Sequence, residues 1–348
     1  MYWISIITSI AIPLVLSLAL HPLVLYIAHK NNWYDTEDEI KIHTGAIPRL
    51  GGVAVFLSFF IGITVSVFIL NISLIDQLTL GIISGFIVIH IVGLLDDFYN
   101  IRAIGKLIGQ IVAAILVILS GFVIKTINIP IVNYAVQIKI LTYLLTALWI
   151  IGITNAVNLI DGMDGFAGSI AAAALIVYAV LALVQGQIAL SVICLSLTGS
   201  VIGFLLFNFP PAKIFMGDSG SLFLGFAVAV IPFLTANGTI TSDVLIVPIT
   251  VLIIPIVDTF SAIARRINRK VPFYKPDKLH VHHLLLDLGL NNRQIVIIVG
   301  MYTIITSLIV IAARQYFSNI YIYVAVVLWI LGFLFYFMLF KMHRKNCA

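Results

Sequence analysis

A polytopic bundle of membrane-spanning α-helices is the fold class this sequence predicts, on three observations. Of the 348 residues 62% are hydrophobic and only 9% charged, with a mean hydropathy of +1.18, well outside the range of water-soluble domains. The apolar residues fall into runs long enough to cross a bilayer, which takes roughly 17–25 residues. The polar residues gather in the gaps between those runs. Within hydrocarbon each backbone group must be satisfied by its own segment, so the runs read as helices, not open strands.

Eleven segments are predicted, at residues 4–27, 50–69, 78–95, 107–124, 138–153, 166–184, 188–207, 222–234, 244–264, 295–313 and 320–340. The first lacks a basic leader and exceeds a signal-peptide core, so it reads as a retained helix. The fifth begins beside Lys139, and the eighth is short and carries Pro232, which leaves a ten-helix plan open. Pro248 and Pro255 predict a bend in the ninth, which would let Asp258 line an inner cavity. The odd-numbered connections and the C-terminal tail hold 16 of the 19 Lys and Arg, leaving Lys125, Lys139 and Arg314 opposite. The positive-inside rule makes those connections cytoplasmic, with the N-terminus outside and the C-terminus inside. One integral membrane domain, 1–348, is expected, with its site in the cytoplasmic loops.

The net charge of +5 follows from this topology and carries no nucleic-acid signature. Cys194 and Cys347 form neither a disulfide framework nor a metal motif. The outer connections are short, whereas the inner ones are longer and rich in Gly, Asp, His and Pro, so function is expected on the inner face.

Five carboxylates stand at the inner ends of apolar segments: Asp96 and Asp97 in GLLDDF, Asp161 and Asp164 in NAVNLIDGMDG, and Asp218 in FMGDSGS. Acids beside hydrocarbon are costly to ionise, so a cluster drawn from three loops points to chemistry. Adjacent carboxylates need a proton or cation between them, and hard oxygen ligands near phosphates favour Mg²⁺. Asn155, Asn158, Asp161 and Asp164 recur every three residues, with Gly162 and Gly165 breaking the turn. The bland alternative is that the two acids cap the sixth helix. The fourth, sixth and eighth helices enter from the inner side, where unpaired amides and a positive dipole end suit phosphate, and Lys106 adds a cation at the fourth. Phe215, beside Gly217 and Asp218, reads either as an interfacial anchor or as a ring stacked on a base. His280, His282 and His283 suit a diphosphate-contacting loop with Lys275 and Lys278 better than a zinc site, for which no Cys is at hand. Arg265, Arg266, Arg269 and Lys270 are explained by topology alone.

Together HTGAIPRLGG (43–52), GLLDDF, NAVNLIDGMDG, FNFPPAKIFMGDSGSLFLG and PDKLHVHHLL resemble the ordered loop motifs of the polyprenyl-phosphate N-acetylhexosamine-1-phosphate transferases, over nearly the whole chain. The resemblance implies transfer of a sugar-1-phosphate from a UDP-N-acetylhexosamine to undecaprenyl or another polyprenyl phosphate, with release of UMP. Mg²⁺ is the implied cofactor, with Mn²⁺ as a substitute. It implies catalytic roles for Asp96, Asp97, Asp161, His280, His282 and His283. Asp218, with Asp97, becomes the metal ligand, and Lys106, Asn158, Asp164, Asn208, Phe215, Gly217 and Ser221 bind substrate. Many relatives carry an acid where this chain has Asn100. The interrupted His280-Val281-His282-His283 resembles the N-acetylglucosamine branch, which initiates glycans such as teichoic acid or O-antigen, more than the phosphomuramoyl-pentapeptide branch. A membrane transporter is the alternative of another class, but transport sites usually lie at midplane, often in repeated halves, and no repeat is visible. A homodimer is compatible with the sequence.

Overall fold

The computed structural model describes residues 2–34, 47–72, 77–129, 134–136, 139–236, 239–271, 279–317 and 320–346. The 43–46 part of the first motif, Lys275 to Lys278, and Cys347 therefore lie outside the described residues.

The helices are α1 (Tyr2–Lys30), α2 (Gly51–Leu70), α3 (Gln77–Tyr99), α4 (Ala103–Leu119), α5 (Lys139–Ile160), α6 (Phe166–Val184) and α7 (Ile188–Asn208). They continue with α8 (Gly217–Val230), α9 (Ser242–Val251), α10 (Ile253–Asn268), α11 (Val281–Asp287), α12 (Asn292–Tyr316) and α13 (Tyr321–Asn346). Among the described residues nine helices are long and apolar enough to cross a membrane, and α9 with α10 makes a tenth, broken span. The fourth predicted segment corresponds to α4, a shorter apolar helix.

Helix α8, extended by a 3₁₀ turn at Ile231–Ala236, is the most enclosed span and packs chiefly against α3 and α5, with α2 and α6 also touching it, while α1 and α13 face outward along most of their length. Small residues allow this packing, because backbones in a membrane bundle close up where side chains are minimal. On α7 a Cβ at Gly199 would lie 2.3 Å from the Ile10 carbonyl oxygen of α1. Beside it Ser17 donates to the Ser200 carbonyl at 2.8 Å. Away from the polar end, edge-on contacts among Phe59, Phe86, Phe223 and Phe226 join α2, α3 and α8.

Three expectations change. The fourth helix ends at Leu119, not near 124, because the β-branched run VIKTINI continues as strand β1 (Val123–Ile129). This strand pairs antiparallel with β2 (Tyr134–Val136) and parallel with β3 (Thr239–Thr241), a small sheet in an otherwise helical chain. The eighth helix begins at Gly217, five residues before its apolar run, so Asp218 lies in its first turn. The ninth segment is bent by 72° between α9 and α10. Pro255 has no N–H for the Val251 carbonyl and its ring would clash there, so the helix breaks at Leu252 and restarts.

Candidate active site

Helix α3 runs on to Tyr99, which puts Asp96 and Asp97 in its last turns. The Asp97 side chain has no solvent exposure. Its Oδ1 accepts the Asp218 amide at 2.7 Å and its Oδ2 the Ser219 amide at 3.0 Å. Those are two of the orphan donors at the start of α8, so a carboxylate from another helix caps it. Gly217 makes the approach feasible. It has φ of +70°, and a Cβ there would lie 2.2 Å from the Arg49 carbonyl oxygen and 2.6 Å from Asp97 Oδ2.

Asp218, so positioned, faces two cations. Lys106 Nζ lies 2.9 Å from Asp218 Oδ2 and 3.2 Å from Asp96 Oδ2, bridging them. Arg49 Nη2 is 3.7 Å from Asp218 Oδ1 and 3.9 Å from Asp97 Oδ1. Arg49 stands in the HTGAIPRLGG motif, which does not by itself mark it as a site residue; its place just before the Gly51-Gly52 pair is the signal the sequence offers. The segment is clipped to the loop before α8 by main-chain bonds: Phe215 N–H to Pro48 O at 2.8 Å, Gly51 N–H to Phe215 O at 2.9 Å and Gly52 N–H to Met216 O at 2.8 Å.

Helix α5 runs to Ile160, so Asn155 and Asn158 are helical and Asp161 follows in the turn. Asn158 Nδ2 donates to Ser221 Oγ at 2.8 Å, tying α5 to α8. Asn155 exchanges amide hydrogen bonds with Gln110 of α4 at 2.7 and 3.2 Å. Asn208 is committed to the backbone at both ends, accepting the Gly165 amide at 2.8 Å and donating to Ile214 O at 2.7 Å. Asp164 Oδ2 accepts the Ala212 amide at 3.0 Å. Both residues thus brace the cleft wall. Neither acid caps α6, whose N-cap is Gly165 at φ +73° with no side-chain cap. The expectation of open amides for phosphate also changes, since Asp97 and Asn208 already hold amides at the starts of α8 and α6.

These groups border a cleft of about 200 Å³ whose lining includes Arg49, Asn158, Asp161, Asp164, Asn208, Phe215, Gly217 and Asp218. Burial, with the charges of Asp218, Asp97 and Asp164 only partly offset by Arg49, holds the Asp161 carboxyl well above the usual carboxylate range. Protonated, it becomes a hydrogen-bond donor. Asn100 occupies a left-handed position at φ +48°, a conformation Asn tolerates, directly after α3.

The histidines lie behind the cleft. His280 Nδ1 is 2.6 Å from Asp258 Oδ2, and its ring is parallel to that of His282 at 6.0 Å between centroids. His282 packs edge-on to Phe166 at 5.7 Å and reaches Gly162, where an added Cβ would sit 3.2 Å from its ring. Burial, reinforced by His283 and His280, lowers the His282 pKa to about 3, so this ring is neutral and brings no charge to a phosphate. Tyr336 donates to Leu279 O at 3.0 Å and accepts from Arg265, giving that arginine a local role beyond topology. Arg293 Nε donates to Pro210 O at 2.8 Å, holding the loop before α8 against α12.

The donors suited to a hard divalent cation are Asp96 and Asp218, whose Oδ2 atoms converge on one ammonium. No set of three His, Cys, Asp or Glu side chains is gathered as metal ligands among the described residues. Two carboxylates still fit Mg²⁺, which is usually held by one or two of them and completed by water and substrate phosphate.

Residues 79–236 match the model of the family described as Glycosyl transferase family 4. The chain is 36% identical over 312 residues to a probable undecaprenyl-phosphate N-acetylglucosaminyl 1-phosphate transferase of Bacillus subtilis (strain 168), covering 90% of this chain and 86% of that one. It is 33% identical over 296 residues to decaprenyl-phosphate N-acetylglucosaminephosphotransferase of Mycobacterium tuberculosis (strain ATCC 25618 / H37Rv), covering 76% and 71%. It is 34% identical over 270 residues to phospho-N-acetylmuramoyl-pentapeptide-transferase of Geobacillus sp. (strain WCH70), covering 72% and 78%. With such identity sustained along most of both chains, and with the acid-bearing ends of α3, α5 and α8 inside the matched region, this chain belongs to glycosyl transferase family 4.

Proposed function

We propose that the chain transfers N-acetylglucosamine-1-phosphate from UDP-N-acetylglucosamine to undecaprenyl phosphate, or a related polyprenyl phosphate, at the cytoplasmic face of the plasma membrane. UMP and a polyprenyl-diphosphate sugar are the products, and the step begins a lipid-linked cell-envelope glycan. The observation that carries this reading is the meeting of Asp96, Asp218, Lys106 and Arg49 in one ion-pair cluster, of which Arg49 and Asp218 line the cleft. Carboxylates suit a cation, and the two basic side chains suit phosphate oxygens.

An acceptor phosphate oxygen attacks the sugar-bearing phosphorus of the donor, and the bond from that phosphorus to the oxygen shared with the uridine phosphate breaks. A phosphate monoester has a second pKa of about 6, so much of the acceptor is dianionic near neutrality and needs no general base. Asp97 suits positioning in any case, because both its oxygens accept α8 amides. Lys106 and Arg49 offset the charge of the two phosphate groups. Asp161, whose carboxyl is held above the usual carboxylate range by burial and neighbouring carboxylates, lines the same cleft, and Phe215 offers a ring face to uracil. When bound at Asp96 and Asp218, Mg²⁺ supplies Lewis-acid neutralisation of phosphoryl oxygens, and Mn²⁺ substitutes for it.

The test is UMP release by the purified chain given polyprenyl phosphate and a panel of UDP-amino sugars, with and without chelator. UDP-N-acetylglucosamine is expected to be the preferred donor, with activity lost to EDTA and restored by Mg²⁺. Preference for UDP-N-acetylmuramoyl-pentapeptide would move the chain to the other branch. Absence of UMP with every donor would overturn the reading.

A further inference from the structure

Asp258 lies on α10 with no solvent exposure, away from the acids of the cleft, and both its oxygens are engaged. Oδ1 accepts the Val281 amide at 2.8 Å and Oδ2 lies 2.6 Å from His280 Nδ1. Val281 is the first residue of α11, so its amide has no partner within that helix. Asp258 meets this segment because the chain breaks after α9 and restarts at 72°; the bend that Pro255 forces carries the carboxylate to the histidines.

From this geometry we propose that Asp258 is a positioning residue for the transfer reaction, acting through His280 by fixing its tautomer and ring plane. An ionised carboxylate only accepts, so His280 Nδ1 carries the proton and Nε2 becomes the working nitrogen. The ring plane set in this way is parallel to that of His282, whose far edge meets the Gly162 turn between Asp161 and the rest of the cleft floor. A carboxylate behind a histidine is a recurrent means of orienting the ring and choosing its reactive nitrogen. The purely structural alternative, that Asp258 serves only to cap α11, assigns a role to Oδ1 and none to Oδ2.

This inference rests on the proposed transferase function, and the substitution Asp258→Asn separates the two. Asn can keep the cap through Oδ1 while presenting N–H to His280 Nδ1, which forces the opposite tautomer. In the intact chain carrying ¹⁵N-labelled histidine, with His280→Gln supplying the assignment, the wild type is expected to show protonated Nδ1 and Asp258→Asn protonated Nε2. UMP release is expected to fall about 10- to 100-fold in kcat with the donor KM changed less than about twofold. The double variant Asp258→Asn with His280→Gln is expected to be no slower than His280→Gln alone, since one residue acts through the other. Wild-type kcat in a variant with the switched tautomer, or a double variant slowed by the product of both single effects, would overturn the assignment. If the wild type releases no UMP, the transferase reading fails while the tautomer measurement still reports on the Asp258–His280 pair.

Discussion

Replacing Asp97 with Asn separates a helix-capping carboxylate from a proton acceptor. In the native chain the carboxylate receives two buried amides, from Asp218 at 2.7 Å and Ser219 at 3.0 Å. A hydrogen bond to a charged group contributes about 1.5–3 kcal/mol. Asn keeps one acceptor and turns an NH₂ toward the second amide, so one bond is lost and two donors face each other. The expected cost is about 3 kcal/mol at the α3–α8 junction, seen as a fall on the order of 5 °C in the apparent melting temperature in detergent. Because Asp218 sits on the freed turn, single-turnover UMP release is expected to drop by a common factor at every pH, leaving the shape of the pH profile intact. An Asp97→Asn protein that melts like wild type, yet loses both rate and pH dependence, would refute the capping argument and make Asp97 the base.

Gly217→Ala adds a Cβ 2.2 Å from the Arg49 carbonyl oxygen at a left-handed position, and UMP release is expected to fall on the order of 100-fold through displacement of Asp218. Asp161→Asn tests the raised carboxyl pKa by its sign: the folded chain holds the proton more tightly than the unfolded one, so wild-type stability is lost as pH rises from about 4 through the folded pKa. Thermal melts should therefore show the variant gaining stability over wild type at pH 8, with no pH-dependent gain at pH 4; an equal gain at both would reject the ionisation account. His282 has the opposite sign, its pKa lowered to about 3, so its contribution is complete above 6.5 and declines by up to ~1.4 kcal/mol per pH unit as pH falls below that value. Acid melts of His282→Asn should lack this decline, and an unchanged slope would place the titration elsewhere.

Hydropathy alone located the spans, because the cost of unpaired backbone in hydrocarbon acts on each segment separately. It was weakest where another force outweighed apolarity. At the eighth helix, capping by Asp97 extends the structure back over the polar residues Gly217 to Ser221. At β1, a β-branched run that continues the apolar fourth segment pairs with distant strands. Local spacing likewise exposed the acids, Asn158, Lys106 and the histidines, but not what each would touch. Asn208 reads as a substrate contact and is tied to Gly165 and Ile214, Arg49 is not marked by its motif and faces Asp218, and Asp258, expected to line an inner cavity, meets His280.

The sequence by itself determined that this chain is a membrane bundle with acid-rich loops, and its motifs were sufficient to identify the family. Only the tertiary structure decided that Asp97 caps α8, that Lys106 joins Asp96 to Asp218, and that the bend at Pro255 brings Asp258 to His280. Helix formation depends on neighbours within a few positions along the chain, whereas these pairings depend on how whole helices pack, and 121 residues separate Asp97 from the amide it holds at Asp218.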